Sequence, residues 1–211
     1  MAKLITKKDI PAVMDALEEM HPEASCALDF GSTFQLVVAV SLSAQTTDVN
    51  VNKVTPALFE KYPTPEAMAA ADIKDVEKMI HSLGFFRNKA KNIVAMANAL
   101  MEEHDGIVPG TMEELVKLPG VGRKTANVVL AEGFGKPAIA VDTHVFRVSR
   151  RIGLADGNTP DEVERQLCRK IPKEQWSRAH HLLIFHGRKI CSARKPDCEN
   201  CKLLGLCKLK G

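Results

Sequence analysis

The chain has 211 residues, of which 45% are hydrophobic, 26% charged and 5% aromatic. This excludes a disordered tail protein, a collagen-like fibre and a disulfide-dense miniprotein, and the length suits one domain or two small ones. The formal net charge of +3 is too small to point to nucleic acid by itself.

The N-terminus lacks the apolar stretch of a secretory signal, so a cytoplasmic protein is expected, nucleoid-associated in a prokaryote. Thr6-Lys-Lys-Asp9 has the form of a capping box, with Asp in place of the preferred Glu or Gln, and opens a helix to about Met20. The uncharged stretch from Phe30 to Thr47 is too polar to span a membrane and reads as a buried helix with a polar end. Its Phe34, Val37, Val38 and Leu42 share one helical face. A further helix is predicted from Thr46-Thr47-Asp48 to Phe59. Thr64-Pro65-Glu66 and Thr159-Pro160-Asp161-Glu162 each carry an N-cap, a proline at the first helical position and acids in the first turn. Between Lys89 and Glu103, Ala90, Ile93, Val94, Ala97, Leu100 and Met101 recur at helical spacing. No long alternating run asks for a sheet, so the fold class is all-α. No low-complexity linker divides the chain, and Gly133-Phe-Gly-Lys-Pro137 is the best mid-chain crossing point. Phe85 to Lys91 and Arg188 to Lys195 are basic, which suits a phosphate-binding face or an ordinary solvated one.

The sharpest motif is Leu118-Pro-Gly-Val-Gly-Arg-Lys-Thr-Ala126. A short helix from Met112 to Lys117 should meet a glycine turn and then a helix from Arg123 to about Ala131. Gly120 and Gly122 permit unusual backbone angles and close approach, and the N–H groups opening the second helix favour an anion such as a phosphodiester. A plain helical corner would also use glycine. Lys124 lies in the first turn of that second helix, where the dipole and Arg123 disfavour an ammonium and so favour a nucleophilic amine. A surface lysine aimed at phosphate is the plainer alternative. In Ala140-Val-Asp-Thr-His144, Asp142 precedes a basic helix bearing Arg147, Arg150 and Arg151. It suits a helix cap, and also a carboxylate that stabilises developing positive charge; the two roles are compatible. His144, His180, His181 and His186 read as packing or capping residues.

Of six cysteines, Cys26 and Cys168 stand alone, whereas Cys191, Cys198, Cys201 and Cys207 form Cys-x6-Cys-x2-Cys-x5-Cys. In a reducing compartment such a group signals metal rather than disulfides. One short clip with longer arms leaves zinc and an iron–sulfur cubane equally open. Arg194 and Lys195, inside the first arm, suggest a basic loop that contacts DNA.

Taken in order, Ser43-Ala-Gln-Thr-Thr-Asp48, Gly84-Phe-Phe-Arg-Asn-Lys-Ala90, Leu118 to Asn127, Val141-Asp-Thr-His-Val-Phe-Arg147 and the four-cysteine tail resemble the endonuclease III family of helix-hairpin-helix DNA glycosylases. The resemblance covers nearly the whole chain. It implies a six-helix domain over 26–136 and a cluster domain from 1–25 with 137–211, with double-stranded DNA in the cleft between them. It implies a monomer that excises oxidised pyrimidines and cleaves abasic sites. It also implies a [4Fe–4S] cluster on Cys191, Cys198, Cys201 and Cys207, Lys124 as nucleophile and Asp142 as the essential aspartate. Leu118, Gly120, Val121, Gly122 and Thr125 fall in the phosphate-binding hairpin, and Gln45 matches a glutamine that enters the duplex. Phe85 stands where a leucine wedge is usual and Phe86 where tyrosine is common; an apolar wedge remains feasible. The alternatives are an adenine-mismatch glycosylase of the same superfamily and a non-catalytic DNA-binding module with a zinc knuckle. A lysine at 124, and an end four residues after the last cysteine, favour the lyase.

Overall fold

The structure, a computed structural model, describes residues 4–208, so the first three residues of the segment read for a leader lie outside it. The described residues form helices and turns with no strand. In chain order the α-helices are α1 (Ile10–Met20), α2 (Thr33–Leu42), α3 (Asp48–Lys61), α4 (Pro65–Ala69), α5 (Ile73–Met79), α6 (Phe86–Glu103), α7 (Met112–Leu115), α8 (Arg123–Val128), α9 (Thr143–Ile152), α10 (Pro160–Lys170) and α11 (Trp176–Lys189). Two compact units emerge: a central one, Ala27–Lys136, and a terminal one formed by Met1–Cys26 with Pro137–Gly211.

Side chains define most helix starts. Ser32, Thr47, Thr64, Asp72, Thr111, Asp142 and Thr159 each accept a hydrogen bond from a backbone N–H in the first turn of the helix that follows. At the N-terminal end, both the N–H and the hydroxyl of Thr6 donate to the Asp9 carboxylate, at 2.9 and 2.8 Å. The turn so closed, Lys7–Asp9, is 3₁₀ and runs straight into α1.

In the central unit α2 is the core helix. Leu36, Val37, Val38, Ala39 and Leu42 are all fully buried, and Phe34 and Val40 nearly so. The single apolar face expected for this helix is therefore too narrow. Helices α3, α6 and α8 pack around α2, and its sequence is apolar on every side for that reason. Each buried Leu, Ile or Val contributes about 1.5–3 kcal/mol. Two expectations change here. The helix expected to reach Ala131 is α-helical only to Val128 and widens into a π turn, Val129–Gly133. Val129, Leu130 and Ala131 are consecutive and all buried, which one face of a 3.6-residue turn does not present. Met101, counted in the apolar stripe of α6, is 39% exposed because it lies near the helix end, beyond the core.

The terminal unit has its own core, built from Ile10, Val13 and Leu17 of α1, Val145, Val148 and Ile152 of α9, Val163 and Leu167 of α10, and Leu182 and Leu183 of α11. Arg178 on α11 clamps the end of α1 by a two-pronged ion pair to Glu18 and by donating to the carbonyls of Pro22 and Ala24.

Candidate functional site

The hairpin lies wholly in the central unit. Leu118, Pro119, Gly120 and Val121 form a turn closed by Val121 N–H to Leu118 C=O at 3.0 Å. Gly120 has φ +77, as the third residue of a type II turn requires, and proline precedes it. A Cβ at Gly120 would meet Asn92 Cβ at 2.9 Å, so the hairpin backbone lies directly on α6. The side chains of Leu118 and Val121 are buried, which leaves any contact with a ligand there to the main chain. Gly122 is the N-cap of α8, with no side-chain hydrogen bond, and a Cβ there would meet nothing within 4 Å. Lys124 follows in the first turn, exposed, with Thr125 half-buried beside it.

A second group gathers around an open recess of about 570 Å³ in the same unit, lined by Ser41, Gln45, Phe85, Asn88, Lys89, Asn92 and Gly120. Three residues singled out from sequence, Gln45, Phe85 and Gly120, meet there. Gln45 is exposed with φ +53, and Phe85 is 66% exposed with φ +57. Both are left-handed conformations uncommon outside glycine, and an exposed phenylalanine held in one warrants a functional reading. The sequence reading missed Lys89, which is only 7% exposed and donates to Thr46 Oγ1 at 2.7 Å. Burial pushes its ammonium below the ordinary lysine value.

In the terminal unit Asp142 caps α9. Its Oδ1 accepts from Val145 N–H at 2.7 Å, and no partner holds its Oδ2 among the described residues. Of the arginines on that helix, Arg147 and Arg151 turn inward. Arg147 donates to the carbonyls of Gly187 (2.9 Å) and Cys191 (3.0 Å), and Arg151 to those of Ser192 (2.6 Å) and Ala193 (2.8 Å). These cations satisfy carbonyls at and beyond the C-terminal end of α11, which favours positive charge. Arg151 Nη1 also reaches Cys191 Sγ at 3.6 Å, and Cys207 Sγ donates to the Arg151 carbonyl at 3.3 Å.

All six cysteines are free, and Cys191, Cys198, Cys201 and Cys207 line one recess with Ile152, Leu203 and Leu204 as apolar wall. Among the described residues no three His, Cys, Asp or Glu side chains converge closely enough to hold a single ion. Four thiols lining one recess are a donor set suited to a metal centre. His186 belongs to this wall. Its Nε2 lies 3.6 Å from Cys201 Sγ and its Nδ1 3.1 Å from His21 Nε2; burial and His21 push its pKa down to about 4, so the imidazole is neutral. Arg194 and Lys195 project from the loop between the first two cysteines, exposed, above a turn in which the Ser192 hydroxyl donates to the Lys195 carbonyl at 2.5 Å. No helix among the described residues is long and apolar enough to cross a membrane.

Residues 38–173 match the HhH-GPD superfamily of base excision DNA repair proteins. Endonuclease III of Bacillus subtilis is 50% identical over 206 residues, spanning 97% of this chain and 94% of its own. The enzyme of the same name from Escherichia coli is 46% identical over 198 residues, 94% of each. A trapped covalent intermediate of an endonuclease III with DNA, an estranged-adenine complex, superposes with a TM-score of 0.94 at 49% identity over 98% of both chains. The chain belongs to the endonuclease III family of the HhH-GPD superfamily.

Proposed function

We infer that this protein is a base-excision repair enzyme that removes oxidised pyrimidines from double-stranded DNA and then cleaves the strand 3′ to the abasic site. The reading rests above all on Lys124, an exposed amine in the first turn of a helix that no side chain caps, two residues after a glycine with open space around it.

The hairpin backbone and the first N–H groups of α8 receive a phosphodiester, with Thr125 beside them. Gln45 and Phe85 enter the stack where the damaged base leaves it, a step eased by the weak pairing of that base. The Lys124 amine gives its lone pair to C1′ while the bond from C1′ to the base breaks, and the base departs with that electron pair and a proton. The new nitrogen then opens the C1′–O4′ bond, O4′ takes a proton, and an imine remains between lysine and sugar. Loss of a C2′ proton expels the 3′ phosphate by β-elimination, and water returns the free amine. Asp142 stabilises the positive charge that develops on the sugar and assists these proton movements through Oδ2, while Oδ1 keeps its cap.

Cys191, Cys198, Cys201 and Cys207 would hold a [4Fe–4S] cluster, one thiolate to each iron, and the cluster when bound supplies a rigid centre for the loop. Arg194 and Lys195 on that loop offer two cations to the phosphate backbone. The protein works as a monomer in the cytoplasm, at the nucleoid in a prokaryote. An adenine-mismatch glycosylase is disfavoured by lysine at 124, and a non-catalytic zinc-knuckle module by the match to endonuclease III over nearly the whole chain.

The test is borohydride trapping on a duplex carrying thymine glycol or an abasic site. Wild type is expected to form a covalent adduct and Lys124→Ala none. Absence of an adduct with wild type, or undiminished trapping by Lys124→Ala, would overturn the Schiff-base chemistry.

A further inference from the structure

Lys89 occupies an apolar position. It falls four residues before Ile93 and eight before Ala97, on the stripe that α6 buries, and it is itself buried. Its ammonium has one partner among the described residues, the Thr46 hydroxyl at 2.7 Å, and no carboxylate. A buried cation so thinly compensated is unfavourable, and a methionine or leucine there would extend the stripe without that penalty. Stability therefore does not account for the lysine.

The hydrogen bond of its ammonium does, taken with where the residue stands. Thr46, which the ammonium holds, has its N–H on the Ser43 carbonyl at 3.1 Å and its hydroxyl 3.5 Å from the Ala44 carbonyl, so these contacts bracket Gln45 in its left-handed conformation. At the other end of the same residue, the Lys89 N–H donates to the Phe85 carbonyl at 3.1 Å and closes the first turn of α6 on the second left-handed residue. The ammonium thus ties the Gln45 corner to a residue whose main chain closes on the Phe85 corner, and the two corners, 40 positions apart in sequence, line one recess.

We propose that Lys89 is a positioning residue that fixes the spacing between the Gln45 and Phe85 corners, so that both side chains meet the duplex as one preformed unit. The proposal rests on the reading that Gln45 and Phe85 enter DNA. Holding both corners before contact spares the ordering of two loops on binding.

The test uses Lys89→Met, which keeps length and removes the ammonium, Thr46→Val, which keeps shape and removes the hydroxyl, Thr46→Ser, which retains it, and Gln45→Ala. Each is measured for melting temperature, for Kd on a duplex with a tetrahydrofuran abasic analogue and 2-aminopurine opposite it, and for excision rate at saturating DNA. Lys89→Met and Thr46→Val are each expected to raise Kd about tenfold, the equivalent of one charge-assisted hydrogen bond. Their effect should fall on Kd rather than on the saturated rate, and Thr46→Ser should restore binding. Melting of Lys89→Met should not drop, whereas a merely structural lysine would lower it. Combining Lys89→Met with Gln45→Ala should weaken binding no further than Gln45→Ala alone, because the two act through one contact. Wild-type binding by Lys89→Met alongside weakened binding by Gln45→Ala would overturn the role of Lys89 alone, as would fully additive losses. An unaffected Kd and 2-aminopurine signal in Gln45→Ala would instead sink the reading of Gln45, and this proposal with it.

Discussion

Gly120 and Gly122 stand two residues apart in sequence, and alanine should act chiefly on stability at the first and on DNA binding at the second. At Gly120 φ is +77, a region where a Cβ costs about 1–2 kcal/mol. That Cβ would also lie 2.9 Å from Asn92 Cβ and 3.2 Å from its Cγ and Nδ2. The obstruction is the root of a side chain on α6, so relief requires the hairpin or the helix to move, adding about 1–3 kcal/mol as overpacking does. Gly120→Ala should therefore lose about 2–5 kcal/mol in all, a fall of roughly 5–20 °C in melting temperature. At Gly122 φ is not positive and the space is open, so alanine meets neither penalty. Only the weaker N-cap preference of alanine remains, about 1 kcal/mol or less. Its methyl group, however, would project where a phosphate approaches the first N–H groups of α8. Loss of one charge-assisted hydrogen bond there raises Kd about 10- to 100-fold. Calorimetry and fluorescence anisotropy on a tetrahydrofuran duplex separate the two effects. If Gly122→Ala melts as low as Gly120→Ala the steric reasoning is wrong, and if it binds DNA like wild type the assignment of this face to phosphate is wrong.

Asp142→Asn should keep stability within about 0.5 kcal/mol, since asparagine caps a helix as well as aspartate. Its excision rate should fall by at least about 100-fold; near-normal turnover would leave Asp142 as a cap only. Replacing both Arg194 and Lys195 by alanine should flatten the slope of log K against log salt by up to about 2, and an unchanged slope would remove the cysteine loop from the DNA contacts. Lys61 Nζ and Tyr62 Oη, each 2.7 Å from Asp75 Oδ2, hold that carboxyl below its ordinary value. The ionised form is thus favoured in the folded state, so its stabilisation is full above pH about 4 and fades as the pH falls further. The stability gap between wild type and Asp75→Asn should therefore shrink below that pH in urea titrations, and a constant gap from neutral to acid would contradict the assignment.

Local chemistry was legible in the sequence wherever one side chain acts on its own backbone. Thr64-Pro65 and Thr159-Pro160 announce helices that begin where those residues stand, and Leu118-Pro-Gly announces its turn. Periodicity was a weaker guide, because it reports which residues share a face and not how many faces are covered. Helix α2 is surrounded, so a stripe of four residues understates it. Lys89 lies on the buried stripe of α6 by position, yet its charge hides it from any reading keyed to apolar residues. Arg147 and Arg151 pose the converse problem. In the sequence they form part of a basic helix, and nothing nearby in the chain reveals that their partners are carbonyls about 40 positions away. The cysteine spacing left zinc and a cubane open because spacing bounds the ligand set without fixing where the sulfurs converge.

The helix starts carry a pattern that spans both levels. Seven α-helices open under a Ser, Thr or Asp side chain that takes up a first-turn N–H, and α1 and α11 continue from a preceding 3₁₀ turn whose backbone meets theirs. Among the described residues only α6 and α8 begin with neither a side-chain cap nor a preceding 3₁₀ turn. Their caps are Phe85 and Gly122, neither of which has a side-chain acceptor to offer. A capping side chain folds over the first N–H groups and stands in the way of an external anion, so omitting it lowers helix stability and leaves the donors accessible. Phe85 lines the recess, as does Gly120 in the turn that leads into α8. One uncapped start, at Phe85, lines the recess and the other, at Gly122, follows two residues after its Gly120, beside the left-handed Gln45 and the buried Lys89; a surface shaped for stability alone does not call for this. Uncapped starts are what a surface requires if it must keep its backbone donors ready for phosphate.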